Sequence, residues 1–327
     1  MQPLPSLTHR TQPAPADVAS EFERDVLRGL SNWPRSIPPK YFYDAAGSAL
    51  FDRIAELPEY YPTRTEFAIL AEHAAEMAAQ MGPQPELIEF GAGSLSKVRL
   101  LLDAFDGADM PRRYLPIDIS ANHLQQAAQR LQREYPQLAV SPVVADYLGP
   151  VALPAPMAGA ARRVGFFPGS SIGNFNFEES LCFLQRAARL LQGGGLLVGV
   201  DQVKEPALLQ AAYNDARGVT AAFNLNLLHR INRELDADFD VGAFWHHAFY
   251  DPLRQRVEMH LVSRRPQTVR IGSARFAFEE GDSLHTENSH KFTVEGFRKL
   301  ALRCGFRPGP AWLDEQRLFA VHWLHAP

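Results

Sequence analysis

The chain has 327 residues, 46% of them hydrophobic, which is enough for two lobes or one large domain around a filled core. A formal net charge of −4 at pH 7 argues against an electrostatic nucleic-acid binder, and no run of about 18 apolar residues is present to span a membrane. The first sixteen residues lack an apolar signal core, and Cys182 and Cys304 are too few for a disulfide framework and have no Cys-x-x-Cys spacing, so a cytoplasmic protein with a small substrate is expected.

Residues 1–16 carry four prolines and few apolar groups, and a mobile tail is expected there. A helix capped by Asp17 should follow, with Phe22, Val26, Leu27 and Leu30 along one face. Beyond a proline-broken linker at 36–40, the stretch YFYDAAGSALFDRIAELPEYYPTRTE (residues 41–66) places Tyr41, Tyr43, Tyr60 and Tyr61 around a short helix near 49–57. Tyrosines join an apolar face to a polar tip, so the block reads either as a packed hinge or as a wall that both packs and recognises. Thr63 and Glu66 have capping-box spacing for a helix running to Met81, with Phe67, Leu70, Ala74 and Met77 inward and Gly82 as its stop.

From Glu86 strands and helices alternate. In ELIEFGAGSLSK, Leu87, Ile88 and Phe90 make a strand apolar on both faces, as inside a parallel sheet. Gly91 and Gly93 then allow a tight turn that a ligand can approach closely. A dinucleotide fingerprint would need glycine at 96, where the chain has Ser96 followed by Lys97, and no P-loop lysine is present, so phosphate cradling is not indicated. A second strand, 114–118, ends in Asp118, 25 residues after Gly93, where an acid can accept from ribose hydroxyls. A third, 138–145, ends at Asp146 and Tyr147. Helices are expected at 96–105 and 121–134, and a fourth strand at 163–167.

The loop PGSSIGNF (168–175) falls on the edge where open α/β sheets bind ligands, and Asn176 with Glu179 caps the next helix, followed by a fifth strand at 196–200. The alternation then breaks into a helical stretch at 202–235 and three antiparallel strands at 243–250, 256–264 and 268–271. A helix at 293–304 stopped by Gly305 and a terminal hairpin, 306–312 with 318–324, complete the chain.

Glu89, Asp118 and Asp146 on successive strands resemble the class I S-adenosylmethionine methyltransferase pattern, which implies a seven-stranded Rossmann-like α/β sheet with an insertion. The long block at 41–66, GSSIGNF, AYNDARGVTAAFN, INRELDADFD and TENSHKF together resemble the histidine-specific Nα-methyltransferase family of ergothioneine biosynthesis, from about residue 20 to the end. The resemblance implies S-adenosylmethionine as methyl donor, S-adenosylhomocysteine as product, and L-histidine methylated three times to its betaine. It implies an acceptor lobe of residues 17–65 and 202–290, and a cofactor domain of residues 66–201 and 291–327. For the acceptor it points to Tyr60, Asn174, Tyr213, Phe223, Met259, Glu287 and Ser289. For the cofactor it points to Tyr43, Gly91, Lys97, Asp118, Asp146 and Tyr147, with Tyr43 and Tyr60 nearest the chemistry.

The chemistry agrees with those side chains. Displacement at a sulfonium methyl needs positioning rather than a protein nucleophile, and no dedicated strong base is expected. Glu287 can accept from an imidazole N–H and Ser289 can donate or accept. Without the resemblance, both would read as a solvated loop. His246 and His247 are adjacent on a strand and face opposite ways, and His285 and His290 lack a partner at ligand spacing, so no metal is assigned. Three rivals remain at this point: a methyltransferase of another amino acid, a nicotinamide-dependent oxidoreductase, and a non-catalytic S-adenosylmethionine sensor. No nucleic-acid or membrane partner is expected, and a monomer is.

Overall fold

The computed structural model describes residues 15–327, with side chains from Glu21 onward. The tail expected over 1–16 lies outside the described residues except at its end, where α1 (Pro15–Ser31) begins, so Asp17 falls inside that helix rather than at its cap. A two-residue strand, β1 (Arg35–Ser36), leads to α2 (Ala45–Ala55) and α3 (Tyr61–Met81). α2 starts before residue 49 because Asp44 accepts from the Gly47 N–H at 2.7 Å and sets the cap upstream. α3 stops at Gly82, whose φ of +72° suits glycine. Its expected capping box does not form. Tyr60 is the N-cap residue without a side-chain bond, and the buried Glu66 carboxylate instead accepts from the Gly169 N–H at 2.9 Å and from Lys97 at 2.5 Å.

The main sheet follows: β2 (Glu86–Phe90), α4 (Ser96–Leu102), β3 (Arg113–Asp118), α5 (Ala121–Glu134), β4 (Ala139–Val140), β5 (Val143–Val144), β6 (Arg163–Phe167), α6 (Phe177–Leu190) and β7 (Gly195–Asp201). The sheet order is β13-β14-β7-β6-β2-β3-β4, with β5 also on β3. The last two strands of that path are β13 (Arg307–Leu313) and β14 (Phe319–His325), and α9 (Val294–Arg303) precedes them. Strands β2 to β7 pair in parallel, while β14 runs antiparallel to both neighbours. The single strand expected at 138–145 is two pieces, because Pro142 has no N–H to give the ladder. The order and directions match the Rossmann-like α/β sheet that the resemblance implies, its outermost position split in two.

Strand β2 lies at the centre and is buried along its length. Leu87 packs with α3, α4 and α5 on one face, while Ile88 and Phe90 pack with α6 and α9 on the other. That is the period-two alternation of a strand covered on both sides.

Between β7 and α9 the chain forms α7 (Pro206–Tyr213), α8 (Val219–Leu235), β8 (Phe244–Asp251), β9 (Arg256–Ser263), β10 (Gln267–Ile271), β11 (Ala274–Phe278) and β12 (Ser283–His290). A four-stranded sheet has the order β1-β12-β9-β8, and β10 and β11 make a separate hairpin. Their apolar faces share a core with α1, α2 and α8. Two of these strands differ from the reading of the residues: β11 had no counterpart in it, and β12, polar but for the buried Leu284, reads as a loop yet pairs with β1 and β9 inside a sheet.

Candidate active site

A cleft of 640 Å³ runs from the carboxyl ends of β2 and β3 to β12. At the sheet edge it is shaped mainly by backbone. Gly91 (φ +68°) and Gly93 (φ +52°) turn the chain through conformations that side chains resist. A Cβ at Gly91 would stand 3.3 Å from the Tyr147 ring, so glycine leaves the turn open against an aromatic wall. Asp118 accepts from the Gly93 N–H at 3.1 Å and from the Ser120 N–H at 2.9 Å, which fixes its carboxylate at the tip of β3. Asp146 accepts from the Leu148 N–H at 2.8 Å and pairs with Lys40 at 3.1 Å.

Tyr147 packs against Phe167, Phe175 and Phe183, and burial, then the charges of Asp118 and Asp146, push its phenol above the usual range. Beneath the turn, burial raises Glu89 to about 8 while Tyr114 donates to it. An open glycine turn, a fixed carboxylate with lone pairs to spare and an aromatic face suit a nucleoside-bearing cofactor such as S-adenosylmethionine.

At the far end the lining is side chains. Tyr60 stands at the start of α3, Tyr213 at the end of α7, Asn174 in the short 3-10 turn after β6, and Glu287 and Ser289 on β12. Gly173 lets that turn press on β12, since a Cβ there would lie 2.8 Å from the His290 carbonyl oxygen. The Tyr60 and Tyr213 rings meet edge-on with centroids 6.3 Å apart. Tyr43 sits between the two ends, against Phe51 and Phe223. Burial raises Glu287 to about 7, opposed by the charge of Lys291. Burial also pushes the phenols of Tyr43, Tyr60 and Tyr213 well above their usual range, with Glu287 adding to each.

Eleven of the thirteen sequence-derived residues therefore line one cleft: Tyr43, Tyr60, Gly91, Lys97, Asp118, Asp146, Tyr147, Asn174, Tyr213, Glu287 and Ser289. Lys97 reaches it already paired with Glu66. Phe223 and Met259 require correction, for they are buried in the core behind the lining: Phe223 has its ring 4.5 Å from Phe42, and Met259 pairs with Glu287 across the strands. Both support the wall from behind.

Sequence reading missed Asp201 and Lys291, which also line the cleft, and Glu66, which is buried behind it and holds Lys97 and the Gly169 N–H there. Lys291 had a usable signal, since Glu287, Ser289 and Lys291 alternate at period two. Buried Asp201 accepts from Tyr61 at 2.7 Å and pairs with Lys204 and Lys291. Burial alone would raise its carboxyl, but the two lysine charges outweigh that and hold it below the usual range.

Partners that sequence spacing does not reveal meet across the strands. His285 pairs in register with His260, and one ligand atom each from Glu258, His260 and His285 lies within 4.8 Å of the others. Glu258 is already bound to Arg256 at 2.5 Å and to His260 at 3.0 Å, and His285 contacts Asn288 at 3.1 Å. With the Arg256 charge in place, the group reads as a cross-strand hydrogen-bond network. Among the described residues no helix is long and apolar enough to cross a membrane.

Comparison with known proteins agrees with this geometry. The model of the histidine-specific, S-adenosylmethionine-dependent methyltransferases matches residues 22–326. The chain is 44% identical over 306 residues to the histidine N-alpha-methyltransferase of Mycolicibacterium smegmatis, covering 91% of this chain and 93% of that one. It is 41% identical over 303 residues to the enzyme of the same name from Mycobacterium tuberculosis, covering 92% and 93%. Ergothioneine biosynthesis protein 1 of Neurospora crassa is 32% identical over 268 residues, which are 77% of this chain and 30% of that longer one. A match over nearly the whole chain, on a sheet and cleft of this kind, shows that the chain belongs to the histidine-specific, S-adenosylmethionine-dependent methyltransferase family.

Proposed function

We propose that the chain methylates the α-amine of L-histidine three times, giving Nα,Nα,Nα-trimethyl-L-histidine (hercynine) for ergothioneine biosynthesis, as a cytoplasmic monomer. The observation that carries this reading is one cleft with the Gly91–Gly93 turn and Asp118 at one end, and buried Glu287 and Ser289 at the other. S-adenosylmethionine, when bound, supplies an electrophilic methyl group on a sulfonium centre. Tyr43, Gly91, Lys97, Asp118, Asp146 and Tyr147 are the residues we assign to holding it. Asn174 and Tyr213 take the amino-acid carboxylate, Tyr60 borders the amine and the ring, and Glu287 and Ser289 bond the imidazole, with Phe223 and Met259 behind them. In this reading residues 17–65 and 202–290 form the acceptor lobe on a cofactor domain of 66–201 and 291–327.

What these residues contribute is position. Holding reactants in line supplies up to roughly 7–11 kcal/mol in well-oriented systems. The amine has to be neutral, and its transfer from water into a closed cleft lowers its pKa in that direction. Because burial keeps Tyr43 and Tyr60 protonated at neutral pH, they act as hydrogen-bonding relays rather than as bases. Selectivity follows from the polar pair: a ring without nitrogens would leave Glu287 and Ser289 buried and unpaired, a costly arrangement. The test is mass spectrometry of the purified protein with S-adenosylmethionine and an equal mixture of amino acids. Three added methyl groups on histidine alone are expected, and methylation of a different amino acid with histidine untouched would overturn the reading.

A further inference from the structure

Lys291 has no part in the reading above, yet it is a buried cation, 3% exposed, on the wall of the cleft two residues beyond Ser289. Its ammonium donates to Asp201 at 2.8 Å, to Ser289 Oγ at 2.8 Å and to Tyr213 Oη at 3.2 Å. Three acceptors use all three of its protons. Ser289 and Tyr213 are also bonded to each other at 2.6 Å, with Tyr213 donating.

Each hydroxyl brings one proton, Lys291 already donates to both oxygens, and one of the two hydroxyl protons bridges the pair. One proton is left over. With Tyr213 donating, Ser289 has accepted from Lys291 and from Tyr213, so its own proton is free to point into the cleft. When the substrate carboxylate takes the Tyr213 proton, Lys291 still donates to both oxygens and the Ser289 proton stays free for the cleft. Thus Ser289 presents a donor to the ring, while Glu287 two residues away presents an acceptor.

We propose that Lys291 is a positioning residue that fixes the polarity of the Ser289–Tyr213 pair, so that the acceptor is taken up as a neutral imidazole with its N–H on Glu287 and its bare nitrogen on Ser289. This inference rests on the reading of Glu287 and Ser289 as the imidazole site. It assigns the charge state and tautomer of the substrate, which that reading leaves open. A buried cation is tolerated here because Asp201 neutralises it, and Asp201 keeps Lys204 and Tyr61 as partners when Lys291 is changed.

Lys291→Met is therefore a usable probe. Histidine is titrated into protein saturated with S-adenosylhomocysteine, for wild type, Lys291→Met, Ser289→Ala and the double variant. Lys291→Met should weaken histidine binding roughly tenfold, as for loss of an ordered hydrogen-bond pair, and leave S-adenosylhomocysteine binding unchanged. In the Ser289→Ala background the same change should cost less than about twofold, because the groups through which Lys291 acts are coupled. Equal losses in both backgrounds, or a parallel loss of S-adenosylhomocysteine affinity, would show a plain structural ion pair and overturn the proposal.

A measurement on wild type covers the case in which Lys291→Met does not fold. Nitrogen-15 NMR of ring-labelled histidine in the ternary complex should show one protonated and one bare ring nitrogen at a pH near 6.5, where free imidazole is half charged. Two protonated nitrogens contradict the proposal. Wild type that binds S-adenosylhomocysteine but no histidine would overturn the acceptor reading and this inference together.

Discussion

At the sheet edge the cleft is shaped by main chain, through two glycines at positive φ and backbone N–H groups that hold Asp118, with Tyr147 as the aromatic wall. At the far end it is shaped by side chains drawn from Tyr43 to Ser289, on elements that meet only after the insertion has folded onto the N-terminal segment. Backbone features tolerate almost no change in residue type but need little support. Side-chain features depend on their neighbours, and here those neighbours are buried groups: Ser289, Tyr213, Lys291 and Asp201 are bonded together, and the Lys291 charge acts on Glu287.

The contrast can be broken most sharply at Gly91. Gly91→Val puts a branched side chain at φ +68° and against Tyr147, so S-adenosylhomocysteine affinity should fall at least roughly a hundredfold, or about 2.7 kcal/mol. Calorimetric titration reads this directly, and near wild-type binding would mean that the turn does not touch the cofactor. Tyr213→Phe keeps the ring but removes the bond to Ser289 at 2.6 Å. The KM for histidine should rise roughly tenfold, with S-adenosylhomocysteine binding unchanged.

The pH dependence separates the two ends without a mutation. Burial raises Glu287 to about 7, and the groups facing it are Lys291, Tyr43, Tyr60 and Tyr213. Its carboxylate accepts an N–H in a charge-assisted bond above that pH and only in a weaker neutral one below it, so histidine affinity should fall roughly tenfold from pH 8 to pH 6, steepened by protonation of the free ligand's own imidazole. A carboxyl raised above its unfolded value binds its proton more tightly when folded, so this group's contribution declines as pH rises from about 4.5 to about 7. A flat histidine Kd between pH 6 and pH 8 would remove Glu287 from the site.

The smallest effect is a control lying on neither end. Asn176 and Glu179 form a capping box at the start of α6, and Asn176→Ala should cost about 1 kcal/mol in stability with both ligand affinities unchanged. Chemical denaturation checks the first part and titration the second.

The same division explains what could be read from residues alone. The sheet-edge end was legible because its signals are local: an apolar run, an acid, two glycines and a second acid within 33 residues, Glu86 to Asp118. β6 and α5 have the limits expected for them, and the Asn176–Glu179 cap is present as read. At the far end local signals mislead. β12 reads SLHTENSH, which lacks apolar alternation because one face lines a cleft and the other carries the histidine network, so composition pointed to a loop. Glu66 has the spacing of a helix cap but is recruited by Gly169 and Lys97, a tertiary partnership that no window of sequence contains. The far end came from resemblance to a family, and that route omitted Lys291 and Asp201.

The central claim is that Glu287 selects the acceptor and leaves the cofactor end alone. Its most direct test is a pair of titrations on Glu287→Ala, one with S-adenosylhomocysteine and one with histidine added to that complex. Loss of a charge-assisted hydrogen bond, about 1.5–3 kcal/mol, predicts histidine affinity lower by roughly ten- to a hundredfold or more beside an unchanged S-adenosylhomocysteine Kd. Histidine binding as in wild type, or both affinities falling together, would contradict the account.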